Sequence, residues 1–474
     1  MTREPKLSGA SRLLVAGCIL VVLIGIFYWP RGDEASSDRG ATNDLGSSEA
    51  GNGAASKQFG RVPRRSSPAA APPTADEIVW GKVNQFGRTR RELAREMGRR
   101  AGKDVPSDVE KFFDAIESGH WEEIEARWSA LSKQSGQYDG STHREELDPF
   151  WPAVLDAYGV GEQAHLWPAQ KLLDYGNRIL DSLRPGMIYV GGTDNGRWIP
   201  ELLNETSGAE PHMIVTQNAF ADGRYLDFMQ TLYGDRLATL THDDSQRAFQ
   251  EYIGDAQKRL EHDEKFPDEP KQVRPGENIK VVEGRVQVSG QVAVMAINEK
   301  LLQMLMEKNP GLGFAMQESF PMTGTYADAA PLGPIMELRA PEGQNAFTAE
   351  RAAQTLDYWR NAAQQILADP GVGAGDSTAV FKSYSHDAVA AANLLAAHNY
   401  IAEAEQGYRL AAQIWPENPE TIGGLAQLLA RGGREAEARQ MLEEFGRQHP
   451  AQRKDAERIS AAWRATAPAE SAKP

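Results

Sequence analysis

The sequence predicts an α/β protein: a central, mostly parallel sheet with flanking helices, carrying α-helical repeats at its carboxyl end and a transmembrane helix at its amino end. Three observations lead to this reading. Short apolar runs break three times into polar turns before a helical pattern begins, at residues 186–198 (GMIYVGGTDNGRW), 211–225 (PHMIVTQNAFADGRY) and 313–326 (GFAMQESFPMTGTY), as strands that feed helices do. Residues 399–416 and 433–450 superimpose at a spacing of 34, and a fixed period of that size marks stacked helical pairs. Residues 13–29, LLVAGCILVVLIGIFYW, hold no charge and are just long enough to cross a bilayer as a helix.

The amino end reads as an anchor. Arg3, Lys6 and Arg12 precede the apolar run, while Arg31, Asp33, Glu34, Asp38 and Arg39 follow it. The cationic excess on the short side makes residues 1–12 a cytoplasmic tail and puts the bulk of a single-pass membrane protein outside the cell membrane. Cys18, the only cysteine, suits a lipoprotein cleavage box, but residues 13–17 are too few for the apolar core of a signal peptide. Either form of processing holds the protein on a membrane. Residues 30–76 are rich in Gly, Ser, Ala, Pro and Asp without apolar periodicity, the composition of a disordered linker.

Residues 77–147 form a helical region. Its Arg88, Arg90, Arg91, Arg95, Arg99, Arg100 and Lys103 suit anionic headgroups, or, with Glu92 and Glu96 one turn away, a solvated helix face, which is the preferred reading. Phe112, Phe113 and Ile116 then face Trp121, Ile124, Trp128 and Leu131 across a Gly119-His120 turn, a helical hairpin. Residues 148–345 are the α/β domain. It opens with one helical stretch to residue 183 and contains the three strand-and-turn units, a helix from Asp243 or Asp244 and a charged loop at 261–276. A hairpin at 280–296 around Glu283-Gly284, a helix at 298–309 and a strand at 335–338 complete it. Residues 346–384 are a connecting helix, capped by Thr348, and a loop; 385–466 are the repeats, and 467–474 a disordered tail.

In open α/β sheets ligands bind beyond the carboxyl ends of the strands, so the polar turns are the candidate ligand site. They supply Gly191, Gly192, Thr193, Asp194, Asn195 and Arg197 after the first strand, Gln217, Asn218 and Asp222 after the second, and Glu318 after the third. Helix capping accounts for Asp194 and Asp222 without any ligand. Arg197, Gln217, Asn218 and Glu318 are harder to explain that way. Were Asp194, Asp222 and Glu318 to converge, they would suit a divalent cation or acid–base work on a sugar, with Arg197 and Arg224 facing a phosphate or carboxylate.

In the 34-residue repeat, Ala404 matches Ala438, Tyr408 matches Leu442 and Pro416 matches Pro450. A small residue, a large one four later and a closing proline resemble the tetratricopeptide repeat, which implies a surface for a protein partner. Two units bury too little surface to stand alone, so they are expected to pack on the α/β domain. The segments GGTDNGR, VTQNAFADGRY, FAMQESFPM and GPIMELR resemble the soluble carboxyl-terminal half of bacterial multi-spanning membrane proteins related to protein O-mannosyltransferases, over roughly residues 151–450. That resemblance implies a periplasmic role in glycan or glycoprotein assembly. In such enzymes acidic residues sit on loops between membrane spans; one span has no such loops, which leaves an accessory or recognition role.

A net charge of −15 argues against general nucleic-acid binding. The chain has no G-x-G-x-x-G or phosphate-loop spacing, no zinc-type cysteine set, no H-E-x-x-H and no strand–G-x-S-x-G–helix. No cofactor or metal is expected, and no complete catalytic set can be assembled. The preferred reading is a membrane-anchored, extracytoplasmic binding or scaffold protein whose repeats engage a protein partner. The alternative is a glycan-active, glycosyltransferase-related enzyme using the carboxylates at the strand ends.

Overall fold

The computed structural model describes residues 72–466 apart from positions 139, 209, 275, 283–284, 339–346 and 369–377. The expected span at 13–29 with Cys18, nearly all of the linker and the tail at 467–474 lie outside the described residues. No described helix is long and apolar enough to cross a membrane.

Helix α1 (Ala75–Ala101) begins at a capping box, in which Thr74 and Glu77 each accept the other's backbone N–H. Helices α2 (Ser107–Ser118) and α3 (Trp121–Ser132) form the expected hairpin, burying Phe112, Phe113, Ile116, Ile124 and Leu131. The single helical stretch expected next is two helices, α4 (Trp151–Leu166) and α5 (Ala169–Leu180). It divides at Trp167, whose extended backbone is what a following proline imposes. Two strand–helix units follow: β1 (Ile188–Gly191) with α6 (Asn195–Glu205), and β2 (Met213–Thr216) with α7 (Gly223–Tyr233).

Helix α8 (His242–Lys265) starts from Thr241 in a second capping box and runs into the stretch expected to be a loop. Strands β3 (Asn278–Val282) and β4 (Arg285–Ser289) pair antiparallel in a sheet of their own; the turn at Glu283-Gly284 lies outside the described residues. The expected hairpin is too long at its far end. Residues 291–296, which read as an alternating strand, are the first turns of α9 (Gln291–Lys308), where Ala293, Val294 and Ile297 are buried at helical spacing. Strands β5 (Phe314–Met316), β6 (Ala330–Leu332) and β7 (Ile335–Glu337) complete the main sheet.

The main sheet has the order β2-β1-β5-β7-β6. Strand β1 is parallel to β2, with Ile188 opposite Met213, and parallel to β5, with Ile188 opposite Phe314. Strand β7 is antiparallel to both β5 and β6. The sheet is therefore mixed, not mostly parallel. The cause is the link between β6 and β7: Gly333-Pro334, with Gly333 at φ 62°, makes a two-residue hairpin, whereas a parallel return needs a crossover of a dozen residues or more. Strand β6 carries Pro331 in its middle, which only an edge strand tolerates. At the other edge, the N–H groups of Ile214 and Thr216 donate to the hydroxyls of Tyr233 (3.2 Å) and Tyr225 (2.6 Å) from α7.

The carboxyl-terminal part is helical: α10 (Ala349–Leu367), α11 (Thr378–Ala397), α12 (Ile401–Ile414), α13 (Pro419–Arg431), α14 (Glu435–Gln448) and α15 (Arg453–Thr466). Helix α11 packs on α12 and α13 on α14, so the segments 34 residues apart are the second helices of two consecutive pairs. The matched Ala404 and Ala438 are both fully buried, and Tyr408 and Leu442 nearly so. Helix α11 also lies against β6 and β7, which joins the helical pairs to the sheet.

Helix α1 packs on the α/β body through Val79, Val83, Phe86, Ala94 and Met97, and one buried charge is tied into that contact. Arg90, fully buried, donates to Asp156 on α4 (3.1 Å) and to Glu201 (2.8 Å) and Glu205 (2.6 Å) on α6. Among the other arginines of the basic run, Arg91 and Arg95 pair with Glu110, Arg88 with Glu117, and Arg99 and Arg100 with Glu96. Each of these arginines is paired with a carboxylate. Arg90→Leu removes one of the two cations of this cluster, leaving Glu205 without a partner among the described residues and Asp156 and Glu201 with Arg197 alone; we expect a loss of about 3–5 kcal/mol in unfolding free energy, measured by denaturant titration.

Candidate functional site

The three polar turns do come together at one end of the sheet, but they form two separate places. From β1 the chain runs to β2 on one side and later returns to β5 on the other, so the carboxyl ends diverge between β1 and β5, the position where open α/β sheets hold ligands. Here that crevice is filled by the protein's own α11. Asn195 donates to the Ser383 hydroxyl (2.6 Å), Gln317 donates to Asp387 Oδ1 (2.8 Å), and the Tyr175 hydroxyl donates to Asp387 Oδ2 (2.9 Å). His386 sits between the Glu318 carbonyl (2.6 Å, from Nε2) and the Glu420 carboxylate on α13 (3.1 Å, from Nδ1). The packing is close opposite this cluster. A Cβ on Gly192 would collide with the Ser319 side chain, and one on Gly196 with the amide of Gln317.

Burial sets the protonation of this cluster. It pushes the Asp387 carboxyl up to about 6, with Asp194 adding repulsion, and the Glu318 carboxyl up to about 7 even though the Tyr326 hydroxyl donates to it (2.6 Å). For His386 burial disfavours the charged ring, but the hydrogen bond and charge of Glu420, reinforced by Asp387 and Asp194, win and push it up to about 10. At neutral pH the ring is an imidazolium that donates from both nitrogens.

The expected site residues are thus spent in different ways. Asp194 Oδ1 caps α6 through the N–H of Gly196 (2.9 Å). Asp222 caps α7 through the N–H of Arg224 (2.9 Å) and pairs with the Arg224 guanidinium (3.1 Å). Glu318 holds Tyr326. Each of the three carboxylates serves its own turn, and they do not gather: among the described residues no three His, Cys, Asp or Glu side chains form a group suited to a metal ion.

Arg197 is not free for a ligand anion. Its three guanidinium nitrogens are committed to the Gly192 carbonyl (3.0 Å), Asp156 (2.7 Å) and Glu201 (3.1 Å). The side chain passes beneath Gly191, where a Cβ would lie 2.7 Å from that of Arg197. Arg224 is likewise occupied, by Asp222, Asp148 and the Ser135 carbonyl.

The second place is open. A small cleft of about 40 Å³ lies at the carboxyl ends of β1 and β2, and Trp151, Thr193, Thr216, Asn218, Asp222 and Tyr225 are among its lining residues. Asn218 Nδ2 donates to the Thr193 hydroxyl (3.0 Å). The Asn218 carbonyl Oδ1 and the Thr216 hydroxyl, both buried, have no hydrogen-bond partner among the described residues. Gln217 is fully buried, and its whole amide has no partner among the described residues, but it is not among the residues lining this cleft.

No family model matches the chain, and none of the curated proteins or solved structures matches it either. The site therefore has to be read from its own geometry. Sequence reasoning missed the contribution of α11. The available signal was His386-Asp387 set among Tyr384, Ser385, Ala388, Val389 and Ala390, all buried, because a charged pair in a buried helical run needs a polar counterpart. Trp151 and Asp156 fall within the stretch that the sequence shows only as helical.

The pKa directions give a pH dependence. Carboxyls raised in the folded state, Asp387 to about 6, Glu318 to about 7 and Glu201 to about 8, contribute stability that is full below their unfolded values and lost as pH rises through the folded ones. His386, raised to about 10, behaves the same way at higher pH. Glu420, lowered by His386 despite its burial, acts oppositely and only in the acid range. We expect the thermal midpoint to fall between pH 5.5 and 8.5, and Asp387→Asn to flatten the lower part of that slope, by scanning calorimetry at constant ionic strength.

Proposed function

We propose that this chain is a membrane-tethered, extracytoplasmic binding and scaffold protein, accessory to glycan or glycoprotein assembly. In this reading the apolar run at residues 13–29 is the tether, the helical pairs α11 to α14 are tetratricopeptide repeats that engage a protein partner, and the β1/β2 cleft recognises a small ligand. The observation that carries the reading is the occupation of the β1/β5 crevice by α11. A reaction built on Asp194, Asp222 and Glu318 would need those carboxylates free and facing one another, and each is committed to its own turn. The cleft beside it keeps unpaired polar atoms and offers no acid–base pair to a substrate, which suits binding. The resemblance of the polar turns to the soluble half of protein O-mannosyltransferase relatives supports the accessory role.

Because Cys18 is the only native cysteine, one introduced thiol reports topology. Ile401, 41% exposed at the start of α12, is the place for it. In spheroplasts carrying full-length Ile401→Cys, a membrane-impermeant maleimide is expected to label the protein as completely as after lysis, and photo-crosslinking from that thiol to yield an adduct with a second protein. Labelling only after lysis would overturn the tethered, extracytoplasmic reading; adducts with nothing but lipid or itself would overturn the partner role.

A further inference from the structure

We propose that the β1/β2 cleft takes one hydroxyl-bearing edge of a neutral, polyhydroxylated ligand, a sugar, held by Thr216 and Asn218 against an apolar, partly aromatic wall. This rests on the reading of the cleft as a recognition site and adds the chemical class of what it recognises. The first observation is hydrogen-bonding capacity left over. Thr216 and Asn218 are at most 2% exposed, they line the cleft, and the Thr216 hydroxyl and Asn218 Oδ1 have no partner among the described residues. Buried polar atoms are almost always paired, so two unpaired ones on the wall of a single cleft mark a place that a ligand completes. Oδ1 takes a donor, and the Thr216 hydroxyl both gives and takes. A ligand hydroxyl answers either need, and a diol answers both at once.

The second observation is charge. Arg197 is saturated by Asp156, Glu201 and the Gly192 carbonyl, and Arg224 by Asp222, Asp148 and the Ser135 carbonyl. Charged side chains lie beside the cleft, yet each is already compensated. A ligand phosphate or ammonium entering it would be desolvated with no free counter-charge, which is unfavourable. The cleft therefore selects neutral molecules.

The third observation is the apolar part of the lining. Trp151, Pro152, Leu155 and Tyr225 border the cleft, and Trp151 is held in place by stacking on Trp128 (5.1 Å between ring centres) and by donating its indole N–H to Gln137. A sugar ring presents C–H groups on one face and hydroxyls around its rim, the pattern that an apolar wall beside Thr and Asn side chains complements. At about 40 Å³, room for about three water molecules, the cleft admits one edge of such a ring and leaves the rest of the sugar outside.

The test uses the full chain in lipid nanodiscs and ligand-observed NMR. The neutral probes are glucose, mannose, galactose and N-acetylglucosamine; the comparators are glucuronate, glucose 6-phosphate and adenosine. At least one neutral sugar is expected to bind at least about tenfold more tightly than the charged comparators. Thr216→Val is expected to weaken that binding about tenfold, the scale of one lost hydrogen bond with its partner left unpaired. The same variant should unfold at an unchanged or higher temperature, because it removes a buried hydroxyl without a partner, so weakened binding cannot be ascribed to unfolding. If adenosine or a charged comparator binds best and responds to Thr216→Val, the ligand class is wrong while the cleft stands as a site. If nothing binds, or if binding is indifferent to both Thr216→Val and Asn218→Ala, the class and the cleft reading both fall.

Discussion

The buried ion network around Asp156 is the interaction on which the rest of the structure depends. Two guanidinium groups, Arg90 from α1 and Arg197 from α6, meet Asp156 from α4 with Glu201 and Glu205 from α6. Three carboxylates against two cations would leave one buried negative charge in excess. Burial answers this by pushing the Glu201 carboxyl up to about 8, so that at neutral pH it retains its proton and the network is close to balanced. Such networks add little net stability compared with apolar packing, but they penalise every arrangement in which a partner is missing. The helices α1, α4 and α6 are thereby held in one mutual position. Arg197 extends the constraint to the Gly192 carbonyl, fixing the turn after β1 on which both candidate places are built.

That fixed turn explains why the two places differ. On the β5 side, Gly192 and Gly196 bring the backbone so near Ser319 and Gln317 that no room remains for a ligand, and α11 seals the gap with Ser383, His386 and Asp387. On the β2 side the same turn presents Thr193 outward, where it meets Asn218 and stops. A crevice that the fold would ordinarily offer to a ligand has been used to dock a helix. The recognition role we propose falls to the neighbouring cleft.

Much of this architecture was legible in the sequence because it is written in local rules. The strands at 188–191, 213–216 and 314–316, the caps at Thr348, Asp194 and Asp222, and the buried alanines of the 34-residue period follow from turn chemistry and periodicity. What was not legible depended on tertiary partners. Residues 291–296 alternate like a strand and fold as a helix because α9 is buried against α8 and β4. Pro331 hid β6, since a proline argues against a strand unless the strand lies at an edge. Arg197 looked like an anion ligand because nothing near it in sequence shows that Arg90, 107 residues earlier, and Asp156 share its surroundings. The three carboxylates were legible as residues and as caps, but their failure to converge was a matter of packing alone.

The tyrosine hydroxyls on the β2 edge carry a consequence for how this protein can meet others. With Ile214 and Thr216 already donating to Tyr233 and Tyr225, and with Pro331 interrupting the ladder at the opposite margin beneath α10 and α11, neither border of the main sheet offers an unbroken row of free amides. Extension of that sheet by a strand from another molecule is closed off at both ends. Assembly with another molecule, and protection from fibre-like self-association, are therefore decided by side chains on helices and loops, leaving the backbone of the central sheet a private matter of the fold.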